Sequence, residues 1–311
     1  MQDTIGIDVS KDTLDLHRRA DSANIQLGND TPGFKRLLKW VGSRATALIV
    51  FEATGAYHRS LEKFLTAHKL AYVKVNPKQA RRFAQAIGKL AKTDQVDAEM
   101  LARMGSALDL QAQEPPHESS HDLKELLTAR RALIKDQTAA KARLATATVP
   151  LLRRQIKRRL TQIARDIAQI DIGMSRQADR DEAMAERLDI LASIPGVGRL
   201  TAITMLVDMP ELGTLDAKQV AALAGLAPIT QRSGKWQGMA RIQGGRPWMR
   251  RALYMPALVA ARFNPDLKAK YRQFIDAGKP QKLALTAIMR KLLVMANAML
   301  RNHRKWSELR P

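Results

Sequence analysis

The sequence contains no cysteine. Disulfides and thiolate-held zinc are therefore excluded. Its six histidines are scattered, without the spacing of a metal motif. The opening Met1-Gln2-Asp3 has neither the basic start nor the apolar stretch of a secretory signal. No apolar run reads as long enough to cross a bilayer, so a soluble, intracellular protein with no membrane partner is expected. Acids are also scarce. There are 30 Asp+Glu against 52 Lys+Arg, a formal net charge of +22 and a pI near 10.6. Such a surplus calls for a polyanionic partner, because neutralising phosphates releases their counterions. With 311 residues, 45% of them hydrophobic, the chain can fill two or three domains with ordinary cores.

The shortage of acids is uneven. Residues 1–113 hold 17 basic and 12 acidic side chains, and residues 121–192 hold 15 and 10. Residues 193–311 hold 20 and 6, an excess of 14, which marks the last third for nucleic-acid contact. Between these lies Glu114-Pro115-Pro116-His117-Glu118-Ser119-Ser120, a linker by composition. The expected organisation is therefore a first domain over 1–113, a linker over 114–120, a helical region over 121–192 and a last domain over 193–311.

Periodicity supplies the fold class. Thr4–Val9, Leu14–Arg18, Ile25–Leu27, Ala47–Phe51 and Ala71–Val75 read as strands. Helices are predicted from Pro32, over Tyr57–His68, over Pro77–Ile87 and over Gln95–Leu108. Three strands in a meander followed by helix-linked strands give an α/β domain with a mixed sheet, the ribonuclease H-like order. In the middle region, Ile156, Leu160, Ile163, Ile167, Ile170 and Met174 repeat at alternating four- and three-residue steps. That seam wants a coiled-coil partner, either the preceding helix Leu123–Ala147 across the break at Pro150, or another subunit. The last third reads as mainly helical. Ile194-Pro195-Gly196-Val197-Gly198 before Leu200–Val207 resembles the turn of a helix-hairpin-helix module, or simply a tight interhelix turn. Asp216–Leu226, Trp248–Phe263 and Gln281–Asn302 follow as helices, with a Gly-rich basic loop or hairpin over Ala227–Pro247.

Four acids stand on these elements in a telling order. Asp8 lies in the first strand, Glu52 closes the fourth, and Asp94 and Asp97 open the helix after Lys92-Thr93. Residues three apart on a helix share a face. Phosphodiester chemistry with two hard divalent cations needs such carboxylates gathered from separate elements. The structural alternative is an N-cap at Asp94 and a macrodipole partner at Asp97. Lys11 and Asp12 read as turn residues, and Glu99 as surface. Ser233, in Gln231-Arg232-Ser233-Gly234-Lys235, is a second candidate. Serine needs a base or metal to become a nucleophile, and Ser-Gly is an ordinary turn pair. Arg232, Lys235, Arg241, Arg246, Arg250 and Arg251 surround it in sequence and are the candidate nucleic-acid contacts.

With these residues laid out, the chain resembles the transposases of insertion-sequence family one-ten, the DEDD transposases with a RuvC-like N-terminal domain. Gly6-Ile7-Asp8-Val9-Ser10-Lys11, Glu52-Ala53-Thr54-Gly55, and Lys92-Thr93-Asp94 with Asp97-Ala98 carry the first part of the likeness. Ile194-Pro195-Gly196-Val197-Gly198, Ala224-Gly225-Leu226-Ala227-Pro228 and Ser233-Gly234 carry the second. The resemblance implies a bacterial cytoplasmic enzyme acting on donor and target DNA. Asp8, Glu52, Asp94 and Asp97 would be its metal-binding tetrad for Mg2+, with Mn2+ as a substitute. Ser233 would be the nucleophile, in a composite site completed within one subunit or between two. A structured noncoding bridge RNA would choose the sequences by base pairing, and the chain would work as a homo-oligomer, a dimer or a tetramer at synapsis. Two other readings stand beside it. A RuvC-like junction endonuclease would use the tetrad but not Ser233, and a basic RNA-binding scaffold would use neither.

Overall fold

The computed structural model describes residues 3–42, 47–53, 55, 57–88, 94–112, 118–230, 232–233, 236–238 and 240–306. The chain divides into two compact units, residues 1–116 and 117–311.

The first unit is built on strands β1 (Thr4–Val9), β2 (Thr13–Arg18), β3 (Asn24–Gly28), β4 (Leu48–Glu52) and β5 (Tyr72–Val75). They form one sheet in the order β3-β2-β1-β4-β5. β1 pairs antiparallel with β2, β2 antiparallel with β3, and β4 runs parallel to both β1 and β5. This is the expected mixed sheet. Strand β4 is apolar on both faces over Leu48–Phe51, because helices cover both sides of the sheet. Helices α1 (Thr31–Val41) and α2 (His58–Ala67) lie on one face, where Ile5, Ile7, Phe51, Phe34, Leu37 and Leu61 share a core. On the other face α3 (Pro77–Ala86) and α4 (Asp94–Ala107) close over Leu48, Val50, Val73 and Val75 with Met100, Leu101 and Met104. Asp30 caps α1 by accepting from the Gly33 N–H, and Pro32 occupies its first turn.

Among the described residues the second unit is helical apart from two short strand pairs between residues 228 and 242. It comprises α5 (Glu118–Thr146), α6 (Pro150–Asp179), α7 (Glu182–Ala192), α8 (Arg199–Asp208), α9 (Ala217–Leu223), α10 (Pro247–Phe263), α11 (Pro265–Asp276) and α12 (Gln281–Arg301). Pro150 opens α6, as expected. α6 packs back on α5, tied by the Arg130–Asp171 ion pair at 2.5 Å. In the predicted seam Ile163 and Met174 are buried while Ile156, Leu160, Ile167 and Ile170 are half-buried. The core is completed by α7, α8, α10 and α12.

Several expectations need correction. The linker assigned to 114–120 ends early, since Glu118-Ser119-Ser120 open α5, and 114–117 lie outside the described residues. The helical region assigned to 121–192 closes with a separate helix, α7, which starts at Glu182 behind an Asp181 cap. The helix expected to reach Leu226 stops at Leu223. α11 was not foreseen; Asn264 caps it by accepting from the Asp266 and Leu267 N–H groups, and Pro265 starts it. α12 is long and apolar enough to cross a membrane by length and composition. Its apolarity is spent on the protein core, where Ile288, Leu292, Leu293 and Ala296 are fully buried.

Candidate active site

The register of the sheet brings the acids together. β1 and β4 are parallel with Ile7 opposite Phe51, so the next residues, Asp8 and Glu52, follow side by side at the strand ends. Side chains alternate along a strand. Ile5, Ile7 and Phe51 point into the core under α1 and α2, so Asp8 and Glu52 point to the opposite face, the one beneath α4. Gly6 explains why α4 can start there. A Cβ at this position would lie 1.9 Å from the Ala98 carbonyl oxygen and 2.5 Å from the Ala102 nitrogen. Only glycine lets the helix backbone rest directly on β1. One residue pair away, the Thr4 hydroxyl donates to the Ala102 carbonyl at 3.0 Å and fixes the helix along the strand. Asp97 therefore sits next to the Gly6–Ala98 contact, on the same face as Asp8, two positions along from Gly6. Asp94 is the first residue of α4, one turn before Asp97.

Asp8, Glu52 and Asp97 are half-buried and each is engaged in interactions of its own. The donor set is all carboxylate oxygen, which suits a hard divalent cation. Among the described residues no three His, Asp or Glu side chains lie close enough to hold a metal ion. The placement thus gathers the acids on one sheet face without a closed ligand cage. Lys11 and Asp12 occupy the β1–β2 turn, as expected. That turn is held by the Thr13 N–H donating to Ser10 Oγ at 2.9 Å.

A fifth carboxylate stands here that the sequence reading passed over. Asp15 is the direct antiparallel partner of Asp8. Opposed residues share a face, so Asp15 joins the acidic side, where Gln26 Nε2 donates to it at 2.9 Å. Counting back symmetrically from the Ser10–Thr13 turn would have found it. Glu99, read as surface, is half-buried beside an open cavity of about 600 Å³ lined also by His17, Arg19 and Asn24.

Ser233 lies in the second unit. It belongs to β7 (Arg232–Ser233), which pairs with β8 (Trp236–Gln237), Ser233 opposite Trp236. Outside this pair β6 (Pro228–Ile229) meets β9 (Arg241–Ile242), so the expected loop or hairpin is a hairpin. The Ser233 side chain is exposed. The basic candidates separate into two kinds. Arg241 and Arg251 are exposed. Arg246 is turned inward, bonded to both Glu211 carboxylate oxygens at 2.7 Å and to the Asp208 carbonyl at 2.8 Å. Arg250 braces the base of the hairpin, donating to the Ala224 and Gly244 carbonyls. These two are structural first. Lys235 lies outside the described residues, as does the side chain of Arg232. Gly196 of the hairpin-like turn takes φ +97°, and a Cβ there would lie 3.0 Å from the Pro256 carbonyl of α10. Packing accounts for that glycine.

The mixed sheet with carboxylates on one face, followed by a basic helical unit, is compatible with the ribonuclease H-like class. Comparison with known proteins makes this specific. Residues 5–149 match the DEDD transposase model of the IS110 group, and residues 188–272 match the transposase model of the IS116/IS110/IS902 family. The pilin gene-inverting protein of Moraxella bovis is 29% identical over 98% of this chain and 97% of its own length. An insertion element IS110 protein of 43.6 kDa from Streptomyces coelicolor is 34% identical over 36% of this chain and 28% of its own. The chain belongs to the IS110 family of transposases. Its activity class is DNA transposition and recombination.

Proposed function

We propose that this chain is an RNA-guided DNA recombinase that cuts and rejoins strands with the carboxylates Asp8, Glu52, Asp94 and Asp97 and the nucleophile Ser233. The observation that carries the reading is the seating of α4 on Gly6, which sets the start of that helix on the same sheet face as Asp8 and Glu52. Those four acids would hold Mg2+ or Mn2+, and a bound cation supplies electrostatic stabilisation of charge developing on phosphate oxygens. The carboxylates of this chain would position the ions, with Asp8 and Glu52 set side by side by the parallel pairing of β1 and β4. Ser233 Oγ would attack phosphorus, forming the Oγ–P bond and releasing a DNA hydroxyl. A later DNA hydroxyl would reverse the step and reseal the strand, so no high-energy cofactor is consumed.

An exposed serine hydroxyl is a weak nucleophile. Its activating group must arrive when the protein assembles on DNA, as a homo-oligomer of dimeric or tetrameric form. Sequence choice is assigned to a bridge RNA; the support is the family resemblance together with a basic surplus suited to phosphate backbones. The Moraxella bovis relative is named for inverting a gene, which fits conservative strand exchange.

The test is denaturing electrophoresis of end-labelled DNA after reaction with wild type and Ser233→Ala. The wild type should give a protein-linked DNA species and the variant none, with RNA and DNA binding retained. A wild type that yields only free cleaved ends would point instead to hydrolysis, as in a RuvC-like junction endonuclease.

A further inference from the structure

Helix α10 carries an exposed face that the fold does not use. Trp248, Arg251, Met255 and Arg262 follow one another at steps of three, four and seven, so they form one stripe along the helix. Trp248 is 48% exposed, Met255 58%, and the neighbouring Tyr254 46%. A tryptophan this open costs solvation unless a partner covers it. The Trp248 ring is held in a particular way. The Arg131 guanidinium lies 4.7 Å from its centroid and that of Arg251 lies 4.8 Å away. Arg131 is fixed by both carboxylate oxygens of Asp208. Arg251 is exposed, with no carboxylate partner among the described residues. One cation is therefore part of the frame and the other is free to turn away. No acid occurs anywhere in α10.

We propose that this face of α10 is a stacking platform for an unpaired base of the DNA strand undergoing exchange. The base would take the place of the Arg251 guanidinium over the Trp248 ring, and Arg251 would turn to the adjoining phosphate. Aromatic side chains bind unpaired nucleotides through base stacking, which is indifferent to sequence. A fully paired duplex hides its base faces and would leave Trp248, Tyr254 and Met255 uncovered. A second copy of the chain is disfavoured, because a self-complementary contact would bring Arg251 and Arg262 against their own equivalents. DNA is the substrate of the family's reaction, and strand exchange unpairs bases beside the break. The proposal rests on the assignment of the chain as a DNA recombinase and is independent of Ser233 and of RNA guidance.

The experiment measures binding by fluorescence anisotropy in EDTA, so that no strand is cut. The probes are a short DNA duplex, the same duplex with a single-stranded gap, and an RNA hairpin. The full chain is compared with Trp248→Ala, Trp248→Tyr and Ser233→Ala. Wild type should prefer the gapped DNA over the duplex by about tenfold. Trp248→Ala should lose that preference while keeping duplex affinity within about twofold, and Trp248→Tyr should keep most of it. Ser233→Ala should keep all of it, whether or not Ser233 proves to be the nucleophile. Circular dichroism of each variant confirms folding, and the tyrosine variant reads the platform should the alanine variant fail to fold. The proposal is overturned if Trp248→Ala retains the preference, or weakens duplex and gapped DNA equally. It is also overturned if only RNA binding falls, or if sedimentation without nucleic acid shows that the substitution dissociates an oligomer.

Discussion

The two units use their carboxylates in opposite ways. In the first, Asp8, Asp15, Glu52 and Asp97 are placed on one side of the sheet, each with partners of its own. In the second, the six acids of residues 193–311 serve mostly local ion pairs and helix starts. Asp208 pairs with Arg131, Glu211 with Arg246, Asp216 caps α9 and Asp266 sits in the first turn of α11. One unit therefore lines a single side of its sheet with carboxylates. The last 119 residues of the other tie most of their acids to their own helices and hold 20 basic side chains.

The largest expected effect breaks the first side of that contrast. Asp8→Ala removes the carboxylate shared between the β1–β2 and β1–β4 pairs. Strand cleavage should fall by at least about 10²–10³-fold, while DNA affinity changes little. A cleavage assay in Mg2+ run beside a mobility-shift assay reads both. Cleavage by the variant at the wild-type rate would remove Asp8 from the site.

Next in size is Gly6→Ala. The added methyl meets backbone atoms of α4, which cannot rotate away as a side chain would. Overpacking of this kind typically costs about 1–3 kcal/mol, and a backbone clash belongs at the upper end. Chemical denaturation should show that loss, and cleavage should fall with it because α4 carries Asp94 and Asp97. An unaltered midpoint would mean that α4 does not rest on β1. Ile163→Asp probes the second unit in the same way. Ile163 and Ala140 are the buried apolar pair of positions in the α5–α6 hairpin's outer half. A charge there has no partner and should cost about 2–3 kcal/mol, with loss of self-association by light scattering. An unchanged assembly would confine the seam to the hairpin.

The same contrast explains what could be read in advance. β1 was read to the residue and the other four strands to within one at each end, because a sheet covered on both faces leaves short, mainly apolar runs between turn residues. Asp8 and Glu52 follow from those strands. Asp15 did not, because its partnership with Asp8 depends on cross-strand register and not on any local motif. In the second unit, charge was legible as a sum but not residue by residue. Nothing in Gly244-Gly245-Arg246 shows that Arg246 turns inward to Glu211, 35 positions earlier in the chain. α11 escaped notice because Asn264-Pro265 reads as a turn, although the same two residues make a capped helix start.

The smallest effect tests that inward pair. Glu211 is partly buried, and burial pushes its carboxyl upward, but the two Arg246 hydrogen bonds and the Arg246 charge outweigh this and hold it below the ordinary glutamate range. A depressed carboxylate pKa stabilises the fold above the unfolded value of about 4.3 and loses that contribution as pH falls through the folded value. The Glu211 side chain is 37% exposed, so solvent screens the pair and its contribution should not exceed about 1 kcal/mol. Glu211→Gln should therefore lower the Tm slightly at neutral pH. The gap from wild type should close as the buffer is taken below the ordinary glutamate range, where both side chains are uncharged. Calorimetry at several pH values follows this directly. A gap that stays constant into acid would mean that Arg246 is held by the Asp208 carbonyl alone, leaving its charge available to DNA. The division between structural and substrate-facing arginines would then have to be redrawn at this residue.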